Sequence, residues 1–81
     1  MRAYILLRTK PGEDQRVARA LKAVNDPRLR ALQADAVIGQ HDVVLECESQ
    51  NLDDLGDALV EVVQTIPGVL HTTTCLSVRL A

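Results

Sequence analysis

The sequence predicts an α+β domain whose six elements follow one another in the order βαββαβ. Three observations predict this order: four short β-prone segments, two stretches with apolar residues at helical spacing, and turn residues between them. The chain has 81 residues, of which 47% are apolar and 25% charged, as is typical of a globular protein. We expect residues 1–81 to form a single domain. Since Tyr4 is the one aromatic residue, the core must be aliphatic.

The first two elements are a strand and a helix. Residues 3–9 (AYILLRT) form an apolar run that predicts a strand buried on both faces, and Pro11 and Gly12 turn the chain after it. Apolar side chains then recur at helical spacing at Val17, Ala20, Leu21 and Val24. Pro27 ends this helix, because the residue before a proline is pushed out of the α region.

The middle of the sequence predicts a β-hairpin. Residues 28–37 alternate imperfectly between apolar and polar side chains, which indicates a strand with a polar edge. Residues 39–42 (GQHD) interrupt this pattern, and the apolar run Val43–Glu48 (VVLECE) then predicts a central strand. The two strands are therefore expected to pair, with residues 39–42 between them.

A second helix and a last strand complete the pattern. Asn51 is a suitable N-cap, because its side chain can accept a hydrogen bond from an N–H group of the first turn. Apolar residues follow at helical spacing at Leu52, Leu55, Leu59, Val62, Val63 and Ile66, and Pro67-Gly68 ends the helix. Residues 69–80 then predict a strand with two different faces. One face consists of Leu70, Leu76, Val78 and Leu80, and the other of His71, Thr73, Cys75, Ser77 and Arg79.

This order is that of the split βαβ, or ferredoxin-like, sandwich, in which a four-stranded antiparallel sheet carries both helices on one face. The first and third strands lie in the middle of such a sheet, and they are the two with unbroken apolar runs, at residues 5–7 and 43–45. The other face of the sheet remains open. We therefore expect two copies to pack sheet against sheet in a dimeric α/β-barrel-like assembly.

Charge and composition exclude several classes of protein. The net charge of −2 argues against a surface that binds nucleic acid by itself. The sequence contains no apolar run of 18 residues and no charged-then-apolar leader, so it predicts neither a membrane span nor a signal peptide. We expect a cytoplasmic protein with free thiols at Cys47 and Cys75. These cysteines could approach each other across the sheet, and both are expected to be buried.

Two polar segments are candidate ligand-binding sites. The carboxylate of Asp42 could hold an ammonium group, and Gly39 would let the backbone approach a ligand closely. The same residue types also make turns, so a purely structural role is the alternative. Thr72, Thr73 and Thr74 offer three hydroxyls that can donate and accept hydrogen bonds. Threonine is also a good strand residue, which is the alternative interpretation there.

The sequence indicates no cofactor, metal site or catalytic set. His41 and His71 lack a third ligand at metal spacing, and no glycine-rich loop is present to hold a phosphate. RNA-recognition domains of this topology stack bases on aromatic residues, which this chain lacks. Two function classes remain. One is a non-enzymatic binding domain, a class to which the amino-acid-binding ACT-type domains of this topology also belong. The other is a small dimeric α+β-barrel enzyme, similar to the monooxygenases of this kind, with a pocket lined by His41, His71 or Cys75.

Three segments together resemble one family. They are AYILLRTKPG at residues 3–12, VIGQHDVVLE at residues 37–46, and the second helix LDDLGDALVEVVQTIPGV at residues 52–69, which is followed by HTTTCL at residues 71–76. From Tyr4 to Leu80 the chain resembles the ligand-sensing (RAM) domain of the Lrp/AsnC transcription regulators. This resemblance implies homodimers that assemble further into tetramers or octamers. It also implies that small effectors, usually amino acids, bind in clefts between dimers.

Carried over by position, the resemblance implies a ligand-binding site with two sides. The hairpin side would consist of Gly39, Gln40, His41 and Asp42, and the strand side of Thr72, Thr73 and Thr74. Asp42 would accept the ammonium group of the effector. The threonine hydroxyls and backbone N–H groups would receive its carboxylate.

Two departures from the family pattern shape this expectation. His41 stands where the family usually has Tyr or another aromatic residue, which leaves the identity of the effector and any pH response open. Because Met1 directly precedes the first strand, we expect the family's N-terminal helix-turn-helix to be absent. We therefore expect a stand-alone sensing domain without direct nucleic-acid binding. It would modulate transcription or metabolism through oligomerisation or by co-assembly with DNA-binding regulators.

Overall fold

The computed structural model describes residues 1–78 and confirms the predicted order of elements. The strands are β1 (Arg2–Thr9), β2 (Arg30–Ala36), β3 (Val43–Glu48) and β4 (Val69–Leu76). The helices are α1 (Asp14–Lys22) and α2 (Leu52–Ala58), and α2 continues directly as a π-helical segment, Leu59–Val63. Within this part of the chain, no helix has the length and apolar character needed to cross a membrane.

The four strands form one antiparallel sheet in the order β2-β3-β1-β4. In the centre of the sheet, Ile5 of β1 lies opposite Leu45 of β3 on one side and Thr74 of β4 on the other. The two strands with unbroken apolar runs are thus the central ones, as predicted. The arrangement is the ferredoxin-like sandwich, and its edge strands are β2 and β4.

The core lies between the sheet and the helices, and it is aliphatic. Successive strand residues point to opposite faces, so alternate side chains of β1 and β3 face the helices. The fully buried residues include Ile5, Leu7, Val43, Leu45 and Cys47 on the sheet and Val17, Leu21, Leu55 and Val63 on the helical side. Burying each Leu or Ile side chain contributes about 1.5–3 kcal/mol, so these residues account for much of the domain's stability.

The second helix begins as predicted but does not continue as one α-helix. Asn51 caps it, since the Asn51 Oδ1 atom accepts a hydrogen bond from the N–H of Asp54 at 2.8 Å. After Ala58 the chain becomes π-helical, and the N–H of Gln64 donates to the carbonyl of Leu59 at 2.8 Å. The prediction of a single α-helix to residue 66 is therefore wrong. Apolar spacing does not distinguish one π-helical turn from α-helix, because residues 59 and 63 contact the core in either form.

The last strand departs from its predicted two-faced pattern at Leu70. Arg8 lies opposite His71, whereas Thr9 lies opposite Val69, so Leu70 is an extra residue in the β1–β4 pairing. The side chain of Leu70 is 61% exposed instead of belonging to an apolar face. A bulge of this kind bends the strand that carries the extra residue.

The end of β4 also differs from the prediction. The strand ends at Leu76, although the N–H of Ser77 still donates to the carbonyl of Arg2 at 3.0 Å. Arg79 and Leu80, which the sequence pattern assigns to this strand, lie outside the described residues.

The open face of the sheet combines an apolar centre with charged residues. Tyr4, Leu6 and Val44 are half-buried in the single chain, although no helix covers this face. Arg2 and Glu46 form an ion pair on the same face, with 3.3 Å between Nε and Oε2. A centre and rim of this kind are typical of surfaces that a partner covers, and the face-to-face dimer stays a prediction.

The two cysteines lie on opposite faces of the sheet. Cys47 pairs with Ala3 and is buried beneath the helices, whereas Cys75 pairs with Tyr4 on the open face and is exposed. Both thiols are free, as predicted. The expectation that both are buried is wrong for Cys75, and their approach across the sheet is prevented because side chains of opposite parity point away from each other. Burial, and secondarily the charge of Glu46, raise the pKa of Cys47 to about 11.

A charged cluster joins the loop after α1 to the π-helical segment. The Arg28 guanidinium donates to Asp26 at 3.0 Å through Nε and Nη2, and to Glu61 at 2.7 Å through Nη1. The Arg28 carbonyl accepts a hydrogen bond of 2.7 Å from the Ser49 hydroxyl. Hydrogen bonds from the Arg28 side chain and backbone lower the pKa of Asp26 to about 2.

Candidate functional site

Asp42 connects the β2–β3 hairpin to the end of β1. Its N–H donates to the carbonyl of Leu7 at 2.8 Å, and its carbonyl accepts from the N–H of Val37 at 2.9 Å. Its carboxylate Oδ2 accepts from the N–H of Thr9 at 2.8 Å. Asp42 therefore has a structural role in the hairpin. Its second carboxylate oxygen, Oδ1, takes part in no hydrogen bond within residues 1–78 and can still contact a ligand.

The hairpin end forms one wall of an open cavity of about 760 Å³. Its volume falls in the range of about 300–1,000 Å³ that is usual for small-molecule sites. The cavity is lined by Arg8, Thr9 and Pro11 at the end of β1, Gln40, His41 and Asp42 in the hairpin, and Leu70 and His71 at the start of β4. Three chain segments that are distant in sequence therefore meet at this end of the sheet.

Gly39 does not line this cavity, although the sequence analysis grouped it with residues 40–42. It is exposed, its φ is not positive, and a Cβ atom built on it would contact nothing within 4 Å. In the isolated chain, neither backbone conformation nor packing thus requires glycine at this position. A role for Gly39 in ligand approach stays a prediction.

The three threonines do not act as one group. Thr72 and Thr74 lie opposite Leu7 and Ile5, while Thr73 lies opposite Leu6 on the other face of the sheet. Thr72 lines a second cavity of about 390 Å³ together with Gln64, Val69, Leu70 and His71. Its Oγ1 accepts a hydrogen bond of 3.0 Å from Gln64 Nε2. None of the three threonines lines the cavity at Asp42, and their role in binding stays a prediction.

The cavity includes four residues that the sequence did not predict as ligand-binding: Arg8, Thr9, Pro11 and Leu70. His71 was expected only as a possible metal ligand or enzyme residue. Arg8 is the one charged residue within the run AYILLRT, and this interruption is the signal that could have singled it out. The position of His71 beside Arg8 depends on the pairing of β4 with β1, and the residues around His71 in the sequence do not predict this pairing.

Both histidines of the chain line the cavity at Asp42. Among residues 1–78, no cluster of three or more His, Cys, Asp and Glu side chains is placed to hold a metal ion. His41 and His71 share the cavity at Asp42, whereas Cys75 does not line it. Of the three residues expected in an enzyme pocket, two are therefore together.

The chain is thus an α+β sandwich domain with a ligand-sized cavity at one end of its sheet. The family model of the Lrp/AsnC ligand binding domain matches residues 2–80, and the chain belongs to this family. No match was found among curated proteins.

Several solved structures share the fold. The crystal structure of the hypothetical protein PHS023 from Pyrococcus horikoshii is 25% identical, with a TM-score of 0.83, covering 98% of this chain and 90% of that chain. AsnC of E. coli is 16% identical with a TM-score of 0.84, covering 98% of this chain and 51% of that chain. The regulator NMB0573 of Neisseria meningitidis, solved as a complex with L-Met, is 14% identical with a TM-score of 0.79, covering 96% and 49%. This chain thus spans about half the length of the two regulators.

Proposed function

We propose that this domain is an effector sensor that binds a small amino acid in the cavity at Asp42. The observation that carries the proposal is the Asp42 carboxylate itself, which Thr9 fixes through one oxygen while the other takes part in no hydrogen bond within the described residues. A carboxylate held in this way can accept the ammonium group of an amino acid without first losing side-chain freedom. Gln40 and His41 from the same hairpin can hydrogen-bond the rest of the ligand.

Two comparisons support an amino acid as the ligand. The chain belongs to a family of ligand-binding domains, and a neighbour of the same fold was solved in complex with L-Met. The cavity offers both charged groups and small apolar surfaces, on Pro11 and Leu70, which suits a zwitterion with a short side chain.

Binding is proposed to act through assembly. Ile38 in the hairpin is fully exposed, and Leu70, which lines the cavity, is 61% exposed, so this end of the sheet has exposed apolar side chains. A second dimer packing there would bury these residues and close the cavity, which couples occupancy to oligomerisation. The domain would thus regulate transcription or metabolism through its own oligomers or by joining DNA-binding members of its family.

The test is a thermal-shift screen of the twenty amino acids at millimolar concentration, followed by calorimetry on those that raise the unfolding temperature. We expect at least one to bind, and Asp42→Asn to weaken its binding by roughly tenfold or more through loss of the charge. This variant keeps an oxygen that can accept the Thr9 N–H, so it separates ligand binding from hairpin stability. Asp57→Asn, at an exposed position on α2, is the matched control. No response to any amino acid would overturn the sensing function.

One observation favours the alternative of a small dimeric enzyme: His41 and His71 line the same cavity. Two imidazoles can act as general acid and base on a bound substrate. The sensor is preferred because the family is one of ligand-binding domains of regulators. Conversion of a bound amino acid, detected by mass spectrometry and lost in His41→Gln and His71→Gln, would support the enzyme instead.

A further inference from the structure

The cavity at Asp42 has more hydrogen-bond donors than acceptors on its charged and polar side chains. Arg8 has five N–H donors and no acceptor, and Gln40, His41 and His71 can each donate. Asp42 is the one carboxylate among the lining residues, and one of its oxygens is already used by the Thr9 N–H. Gln40, His41 and His71 can also accept, so Arg8 and Asp42 are the two groups with a fixed role, and a ligand with both an anionic and a cationic group would suit them.

Arg8 is exposed in the single chain, and none of the ion pairs formed within residues 1–78 includes it. It is the last residue of β1 on the open face, so it lies at the end of the surface that the predicted dimer would cover. It lies directly opposite His71 across the β1–β4 pairing, so the two side chains leave the sheet on the same face as neighbours. A guanidinium binds a carboxylate through two parallel hydrogen bonds, which an imidazole beside it can supplement.

The threonines of β4, which the resemblance implies as partners of the effector's carboxylate, are less well placed than Arg8. Thr72 already accepts a hydrogen bond from Gln64 at 3.0 Å, and it lies on the face of the sheet opposite to His71, whereas Thr73 shares the face of His71. Neither lines the cavity that contains Asp42, whereas Arg8 does. The side chains assembled around the cavity thus present a negative group on the hairpin and a positive group on β1.

We propose that Arg8 determines effector specificity by binding a side-chain carboxylate, and that the effector is an acidic amino acid of the size of aspartate or glutamate. Its ammonium group contacts Asp42, its second carboxylate contacts Arg8 and His71, and its α-carboxylate is left to Gln40 and His41. This inference rests on the proposed amino-acid-sensing function and names the class of amino acid.

Calorimetry with two matched pairs of probes tests the proposal. L-glutamate is compared with L-glutamine, and L-aspartate with L-asparagine, because each pair differs by one charge at nearly constant shape. We expect one acid to bind the wild-type protein roughly tenfold or more tightly than its amide, since a charge-assisted hydrogen bond is about twice as strong as a neutral one. In Arg8→Met this preference should fall to a ratio of about one, because the acid and its amide then meet the same uncharged side chain. Arg30→Met, at an exposed arginine at the opposite end of the sheet, is the control and should keep the preference.

The outcomes separate this proposal from the sensing function. If a neutral amino acid binds in an Asp42-dependent way and neither acid exceeds its amide, the sensing function stands and the role of Arg8 is overturned. The same holds if an acid is preferred but Arg8→Met keeps the full preference. If none of the twenty amino acids binds, both fail. Circular dichroism of Arg8→Met confirms that the variant folds.

Discussion

The backbone N–H of Thr9 donates a 2.8 Å hydrogen bond to the carboxylate of Asp42, 33 residues further along the chain. This bond ties the end of the central strand β1 to the β2–β3 hairpin, and it fixes the orientation of the acidic side chain that faces the cavity. One residue therefore serves both the stability of the hairpin and the proposed recognition of an ammonium group.

Removing the Asp42 side chain should destabilise the protein. In Asp42→Ala the N–H of Thr9, a residue that is only 7% exposed, loses its acceptor, and such an unsatisfied donor costs about 1–3 kcal/mol. Asp42→Asn keeps an acceptor oxygen and should lose less. Urea denaturation followed by circular dichroism measures both, with Asp57→Ala as a control expected to stay within about 0.5 kcal/mol of wild type. Equal losses in Asp42→Ala and Asp42→Asn would show that the hydrogen bond to Thr9 is unimportant.

The open face of the sheet should mediate dimerisation. Leu6 lies in the centre of this face beside Val44, and both are half-buried although neither of the described helices covers them. A charge at position 6 would lose its hydration at the apolar centre of a face-to-face dimer, so we expect Leu6→Asp to shift the protein toward monomer. Light scattering coupled to size-exclusion chromatography measures the mass, with Val60→Asp on the exposed side of the π-helical segment as the control. A wild-type monomer, or an unchanged dimer in Leu6→Asp, would contradict the expected interface.

The thiol of Cys47 should be unreactive in the folded protein. The thiolate is the reactive form, and burial raises the pKa of Cys47 to about 11, so at pH 8 the thiol is almost entirely protonated as well as inaccessible. In the Cys75→Ser variant, which keeps only this cysteine, iodoacetamide should label the unfolded chain far faster than the native one. Mass spectrometry follows the reaction. Similar rates in native and unfolded protein would show that Cys47 is not enclosed by the core.

The Asp26–Arg28 pair should make stability depend on acid pH. Hydrogen bonds from Arg28 lower the pKa of Asp26 from 3.8 to about 2, so the folded state favours the charged carboxylate. The stability that this gives is present above about pH 4 and is lost as the pH falls toward 2. We expect the difference in unfolding free energy between wild type and Asp26→Asn to shrink over that interval, as measured by urea titrations at several pH values. A difference that is constant with pH would exclude the linkage.

Local patterns were sufficient to predict the elements and their order. The apolar runs at residues 5–7 and 43–45 identified the central strands, and Asn51 was placed correctly as the cap of α2 because its partner lies three residues away. These features depend on periodicity and on contacts within one turn, so residues close together in the sequence are sufficient to predict them. The hairpin residues Gln40, His41 and Asp42 were also singled out, and they do line one cavity.

What the local patterns missed depends on register and on neighbours distant in sequence. The extra residue Leu70 is defined only by the β1–β4 pairing, and the exposure of Cys75 follows from which face of the sheet the helices cover. The π-helical segment could not be predicted from the sequence either, because its apolar spacing also suits an α-helix.

Residue type and spacing were thus enough to predict the βαββαβ order and the aliphatic core, and to select Asp42 as a candidate. That Arg8 and His71 are neighbours at the cavity of Asp42 became known from the folded sheet. A cavity of this kind is lined by side chains that come together across strands. Hydrogen-bond register, which assigns those neighbours, is a property of the folded sheet and not of any one segment.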